Sequence, residues 1–336
     1  MLDGDEGQVK IVVTDSVTDD LSFEKELLGP IGTLEIFNTS DLSTIAPELA
    51  ECDAVLNVYA GPISAELIET MPRCKVISRY GIGVDTIDIA AATRAGIIVT
   101  NNPTYCIEEV AEHALALIMA QARKLAVYDR DVRDESWSLA PGKPMSRLKG
   151  KVLGLIGFGN IARALAWRAE GLGMEVIFSD PAVTEPVEGF AAKPASFDEV
   201  VAQSDFLSLH PPLNNATRHI VNAKTLAAMK PSATLVNVSR GPLVDTEALI
   251  DTLAESRIAG AVLDATDPEP LPETHPLRQL GNAIVTPHAA WYSEEAMALL
   301  KRGAPSEVAA VLSGRAPKHV VNPEVLAHCR ADIATT

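Results

Sequence analysis

Short runs of β-branched and aliphatic residues alternate with helix-length stretches along the whole chain. VKIVVTD (9–15), LEIFN (34–38), AVLNVYA (54–60), KVISRYG (75–81) and GIIVTNN (96–102) form a first set of strand candidates. KVLGLIGFG (151–159), EVIFSD (175–180), DFLSLH (205–210), TLVNVS (234–239), GAVLDA (260–265) and AIVTPH (283–288) form a second. Near-continuous apolar strands separated by helices predict parallel sheets covered on both faces, hence an α/β fold. Between the sets, apolar residues at 110, 114, 115, 117, 118 and 122 predict one long helix over roughly 107–130. Its early Glu108, Glu109 and Glu112 and late Arg123 and Lys124 complement the helix dipole. A Pro-, Gly- and Lys-rich loop (140–150) leads into the second set, whose six strands suit a doubly wound dinucleotide-binding sheet.

A chain of 336 residues is long enough for two domains. The formal charge of −17 argues against a nucleic-acid surface or an anionic membrane as partner. An anionic substrate would need a local positive site inside this acidic envelope. Cys52, Cys74, Cys106 and Cys329 show no CxxC or metal-type spacing and read as reduced packing thiols, with no metal expected. The acidic start MLDGDEGQ carries no apolar signal segment, and ALALIMA (114–120) is too short to cross a bilayer. The expectation is a cytoplasmic protein.

Three motifs carry chemistry. Gly157-Phe158-Gly159-Asn160-Ile161-Ala162 follows a strand and opens a helix, and Asp180 closes the next strand 23 positions after Gly157. Gly157 permits the turn, Gly159 lets the backbone approach a pyrophosphate, and Ala162 allows close helix–strand contact. The helix N-terminus stabilises phosphate charge. Asp180 would accept from a ribose hydroxyl and repel a 2′-phosphate, favouring NAD over NADP.

The second motif is Asn237-Val238-Ser239-Arg240-Gly241-Pro242. Ligands of open α/β sheets bind at the carboxyl ends of strands, and an arginine there is costly unless it meets an anion. Its planar guanidinium can hold a carboxylate bidentately, as a 2-oxo or 2-hydroxy acid offers; a structural salt bridge is the alternative. The third is Asp264-Ala265-Thr266-Asp267-Pro268-Glu269-Pro270, followed nineteen residues after Glu269 by His288. A carboxylate beside an imidazole fixes its tautomer and favours its protonated form, which suits a proton donor or acceptor near neutrality.

In this order, with His210-Pro211-Pro212-Leu213 between them, these segments resemble the NAD-dependent D-isomer-specific 2-hydroxyacid dehydrogenases over about residues 10–315. The resemblance implies two Rossmann/flavodoxin-like doubly wound domains with a cleft between them. Residues 1–104 and 291–336 would form a discontinuous substrate domain and 105–290 the NAD-binding domain. It implies hydride transfer between NAD(H) and a 2-oxo acid/D-2-hydroxy acid pair. Arg240 would hold the substrate, His288 would act as general acid, and Glu269 would orient His288. Asp264, Val110 and His288 would lie near the nicotinamide and Thr217 near the pyrophosphate. The fingerprint residues, His210, Pro211, Val238 and Ser239 would complete the cofactor site.

The resemblance also places the amides around Ile82 and Gly83, in Arg79-Tyr80-Gly81-Ile82-Gly83, around the substrate carboxylate. Glycines let backbone N–H groups reach an anion. Ala-Ala-Trp-Tyr-Ser-Glu after His288 is similar to the branch containing the C-terminal binding proteins, and implies that Trp291 faces the substrate, with core packing or a dimer contact as the alternative. A homodimer is implied, with the helix starting near 107 and the loop 131–150 as candidate interface. A rival reading is an NAD(H)-sensing corepressor-like protein with weak or no turnover. His113, His219, His275, His319 and His328 fall in no constellation and read as structural or surface residues.

Overall fold

The computed structural model describes residues 8–134 and 137–334. The acidic start considered for a signal segment therefore lies almost wholly outside the described residues, as do Glu135 and Ser136 of the candidate interface loop. The chain divides into two compact units, Met1–Tyr105 with Ser293–Thr336, and Cys106–Tyr292.

In the first unit, β1 (Lys10–Val13), β2 (Thr33–Ile36), β3 (Ala54–Asn57), β4 (Val76–Arg79) and β5 (Ile98–Thr100) form a parallel sheet in the order β2-β1-β3-β4-β5. Helices α1 (Ser22–Leu28), α2 (Ala46–Glu51), α3 (Ala65–Glu69) and α4 (Ile89–Arg94) make the crossovers. Strands β3, β4 and β5 are buried throughout, which is why they read as unbroken apolar runs rather than alternating ones. The strand order reverses between β1 and β3.

The second unit opens with α5 (Ile107–Ala122) and α6 (Leu125–Arg133). The single helix predicted over 107–130 is in fact two. Lys124 takes a left-handed conformation (φ 54°), which ends the first helix and turns the chain, and no side chain of α6 is buried. The sheet follows as β6 (Val152–Ile156), α7 (Asn160–Gly171), β7 (Glu175–Ser179), β8 (Lys193–Pro194), α8 (Phe197–Gln203), β9 (Phe206–Leu209), α9 (Ala223–Ala228), β10 (Thr234–Asn237), α10 (Thr246–Ala254), β11 (Gly260–Leu263) and β12 (Ala283–Val285). All pairings are parallel, in the order β12-β11-β10-β9-β6-β7-β8. The sheet thus has a seventh strand, β8, beyond the six expected. Two residues bearing a lysine and a proline carry no apolar run by which to find it. The order reverses between β6 and β9, the crevice where open α/β sheets bind ligands. The chain then returns to the first unit with α11 (Glu294–Leu312).

One apolar core lies on a face of the second sheet, where Leu207, Leu235, Ala261 and Leu263 meet Val200, Leu226, Leu249 and Leu253 from α8, α9 and α10. It holds the ends of β9, β10 and β11 rigid, and those ends carry the candidate site.

Candidate active site

The fingerprint loop sits at the switch point. Gly157 has φ +87°, and a β-carbon there would lie 3.0 Å from the main chain of His210 and Pro211. Only glycine lets the loop after β6 lie against the loop after β9. A β-carbon on Gly159, by contrast, would meet nothing within 4 Å. Helix α7 begins at the next residue with no side-chain cap on its N-terminus. Exposed first-turn amides beside open space form an anion site that fits a pyrophosphate.

Phe158 is placed differently from expectation. Its ring is fully buried, stacked on Phe178 with 3.8 Å between centroids, and edge-on to Phe190. Its N–H donates to Asp180 Oδ2 at 2.7 Å. The ring therefore supports the loop from beneath. Asp180, at the end of β7, also accepts from Ala182 N at 2.7 Å, so the carboxylate is held in place by the backbone. A fixed, half-buried carboxylate at this position fits a ribose diol.

The loop after β9 carries His210, Pro211 and Thr217. His210 Nε2 lies 2.9 Å from Ser208 Oγ, and burial pushes the imidazole down to about 4. Thr217 Oγ1 donates to Pro212 O at 2.7 Å and accepts from Asn214 N at 2.9 Å. Its hydroxyl closes its own loop, because the Asn214–Thr217 turn leaves main-chain groups that need partners. Val110 is buried on α5.

At the far side of the sheet, Asn237, Leu263 and Val285 are in register on β10, β11 and β12. Arg240 follows three residues after the first and His288 three after the last, flanking β11 two strand spacings apart, about 10 Å at the backbone. The buried Asn237 side chain donates to Arg240 O at 2.8 Å and accepts from Ser239 N at 3.1 Å, so it sets the turn presenting Arg240. Ser239 Oγ donates to Pro211 O at 3.0 Å, joining this turn to the β9 loop, and Val238 is buried beneath. Arg240 is half-buried and its Nη1 donates to Ser239 O at 2.8 Å. A β-carbon on Gly241 would fall 2.0 Å from Thr266 O, so glycine lets the β11 loop pack here.

That loop delivers Glu269, whose Oε1 accepts from His288 Nδ1 at 2.6 Å. His288 adopts φ +53°, a left-handed conformation that costs a non-glycine residue on the order of 1–2 kcal/mol. Asp264 holds it there. The Asp264 carbonyl accepts from His288 N at 2.9 Å. The carboxylate, only 2 % exposed, accepts from Thr286 Oγ1 (2.5 Å), Ala289 N and Ala290 N (both 2.9 Å). Asp264, expected beside the nicotinamide, thus has both oxygens engaged inside the turn that carries His288. A buried charge with such donors at hand is stabilised by them. Trp291 is half-buried and meets the exposed Tyr292 edge-on at 5.5 Å between centroids.

In the first unit, β4 ends on Arg79, whose Nε donates to Gly83 O at 2.9 Å and whose guanidinium lies over the Tyr59 ring. The carbonyls of Gly81 and Ile82 accept from Asn102 N and Asn101 Nδ2. Among the described residues, the N–H groups of Gly81, Ile82 and Gly83 donate to no acceptor, and open space faces Gly81. Three consecutive amides with their carbonyls tied back make a concavity suited to an anion. Tyr80 departs from expectation. It is buried, its hydroxyl donates to Glu24 Oε1 at 2.8 Å and its N–H donates to Asn57 O. Alternation along the strand turns it to the opposite face from its neighbours, so it serves the core. Burial beside the Glu24 carboxylate pushes the phenol well above its ordinary range.

The second unit is a dinucleotide-binding domain with an arginine, a glutamate and a histidine at adjoining strand ends. Residues 115–290 match the family described as D-isomer specific 2-hydroxyacid dehydrogenase, NAD binding domain. The chain is 38% identical over 287 residues to a glyoxylate reductase of Korarchaeum cryptofilum, covering 84% of this chain and 86% of that one. It is 39% identical over 286 residues to a glyoxylate reductase of Thermococcus litoralis, covering 83% and 86%. Among solved structures it is similar to the D-lactate dehydrogenase of Aquifex aeolicus complexed with NAD and lactic acid, with a TM-score of 0.84, 27% identity and coverage of 97% and 100%. The chain belongs to the D-isomer specific 2-hydroxyacid dehydrogenase family and is an NAD(P)-dependent oxidoreductase. These similarities lend nothing to the corepressor-like branch or to an NAD-sensing role. Among the described residues, no helix is long and apolar enough to cross a membrane.

Proposed function

We propose that the protein reduces a small 2-oxo acid to its D-2-hydroxy acid with NADH, and catalyses the reverse oxidation. The observation that carries the assignment of roles is the 2.6 Å contact between His288 Nδ1 and Glu269 Oε1. With Nδ1–H donating to the carboxylate, Nε2 is the nitrogen that exchanges a proton with the substrate oxygen. Glu269 stabilises the imidazolium and fixes the ring. Arg240 offers a guanidinium to the carbonyl and carboxylate, where charge develops. The bound cofactor supplies or accepts the hydride. Asp180, the first turn of α7 and the glycine loop would hold it, and the fixed carboxylate supports NAD over NADP.

The Gly81–Gly83 amides suit a carboxylate, which supports assigning the first unit the role of substrate domain. Trp291 would face the substrate side chain. Glyoxylate, the substrate in the name of the relatives above, is the first candidate, and Trp291 supports testing bulkier aliphatic and aromatic 2-oxo acids beside it. Exposed Leu125, Val132, Trp137 and Leu139 support a homodimer formed through α6 and the segment after it. Four free cysteines support a cytoplasmic setting. The test is oxidation of NADH against a panel of 2-oxo acids of graded size. Turnover with at least one is expected; tight NADH binding without turnover would overturn the proposal.

A further inference from the structure

His113 stands beneath the turn that carries His288. It projects from α5, half-buried, with Nε2 3.0 Å from Thr286 Oγ1 and 3.5 Å from Asp264 Oδ1. The protons of this cluster can be assigned by counting. An ionised carboxylate only accepts, so the single hydroxyl proton of Thr286 is donated to Asp264 Oδ1, 2.5 Å away. The hydroxyl oxygen then receives from His113, which must carry its proton on Nε2. The chain of donors runs His113 Nε2–H to Thr286 Oγ1–H to Asp264 Oδ1, and every member is oriented by the next. Asp264 in turn brackets His288, through its carbonyl to His288 N and through its carboxylate to the amides of Ala289 and Ala290.

Two features make this more than packing. His288 is held in a strained left-handed conformation, which persists only while its surroundings over-determine it. The buried Asp264 charge has, within this cluster, one imidazole close to it. From these we infer that His113 is a positioning residue for the reaction. By donating to Thr286 it sets the Thr286–Asp264 pair, and through that pair the placement of the His288 ring against the substrate oxygen. The inference rests on the reading of His288 as the proton donor.

The role depends on a donor at the Nε2 position, not on the ring. His113→Leu lowers kcat about tenfold, the scale of one misplaced hydrogen bond at a transition state, while KM for the 2-oxo acid and Kd for NADH stay within about twofold. His113→Gln, whose amide nitrogen reaches the same place, recovers kcat to within about threefold of wild type. In a Thr286→Val background, His113→Leu has no further effect, because the link is already cut. Wild-type kcat in His113→Leu, failure of Gln to rescue, or additive losses in the double variant would overturn the inference. If His113→Leu does not fold, His113→Asn, with its donor at the Nδ1 position, takes its place with the same expectations. A second readout separates this inference from the functional assignment. In histidine-labelled protein the His288 ring resonance moves in His113→Leu and returns in His113→Gln, whether or not any 2-oxo acid is turned over. An unmoved resonance would refute the coupling by itself.

Discussion

The carbonyl oxygen of Asp264 accepts the main-chain N–H of His288 at 2.9 Å, while the carboxylate of the same residue takes the amides of Ala289 and Ala290. One buried residue at the end of β11 thereby dictates the backbone of the turn after β12. The proposed proton donor owes its position to a neighbouring strand more than to its own.

Asp264→Asn replaces one acceptor oxygen with an N–H₂ group that faces a donor in the turn. A buried donor without a partner costs about 1–3 kcal/mol, so the second unit should lose on the order of 2 kcal/mol of stability. Chemical denaturation measures this, and kcat should fall in parallel as the turn relaxes. An unchanged unfolding midpoint would contradict the bracket.

Removing the proton donor separates chemistry from binding. His288→Ala should leave NADH affinity within about twofold and lower kcat by at least ~10²-fold, the usual scale for general acid catalysis. Fluorescence titration with NADH and steady-state kinetics read the two quantities. Near-wild-type turnover would remove His288 from its role.

Cofactor choice is expected to hang on Asp180. Its carboxylate is fixed by Phe158 N and Ala182 N, so it cannot swing away from a 2′-phosphate. Asp180→Ala should narrow the ratio of kcat/KM for NADH over NADPH by roughly tenfold or more, the loss of one like-charge contact. An unchanged ratio would show that another group discriminates.

His210 should mark the acid limb of stability. Burial lowers its folded-state pKa from 6.5 to about 4, so the folded protein resists taking the proton that the unfolded chain accepts. Its contribution is complete above pH 6.5 and is lost as the pH falls from there towards 4. The difference corresponds to roughly 3 kcal/mol at the acid end. His210→Asn should flatten the fall in unfolding free energy across that window. A fall of the same steepness would show that other groups titrate there.

The pattern of the chain determined the fold class and most strand positions, because strands buried on both faces must be apolar throughout, and that is visible in one dimension. It also located the fingerprint loop, Asp180, Arg240, Glu269 and His288, since each chemistry demands a particular residue type at a strand end. What it could not determine were the orientations that depend on distant partners. Tyr80, Phe158 and Asp264 stand within functional motifs, yet face inward because Glu24, Phe178 and the 286–290 turn supply their partners. Lys124 breaks a helix whose apolar spacing runs on past it. His113, 173 residues from Thr286 and without a motif of its own, joins the site only when α5 is laid against the sheet. Periodicity reports how much of a residue is buried, whereas a hydrogen bond needs a second atom at a given place, and only the folded chain brings that atom there.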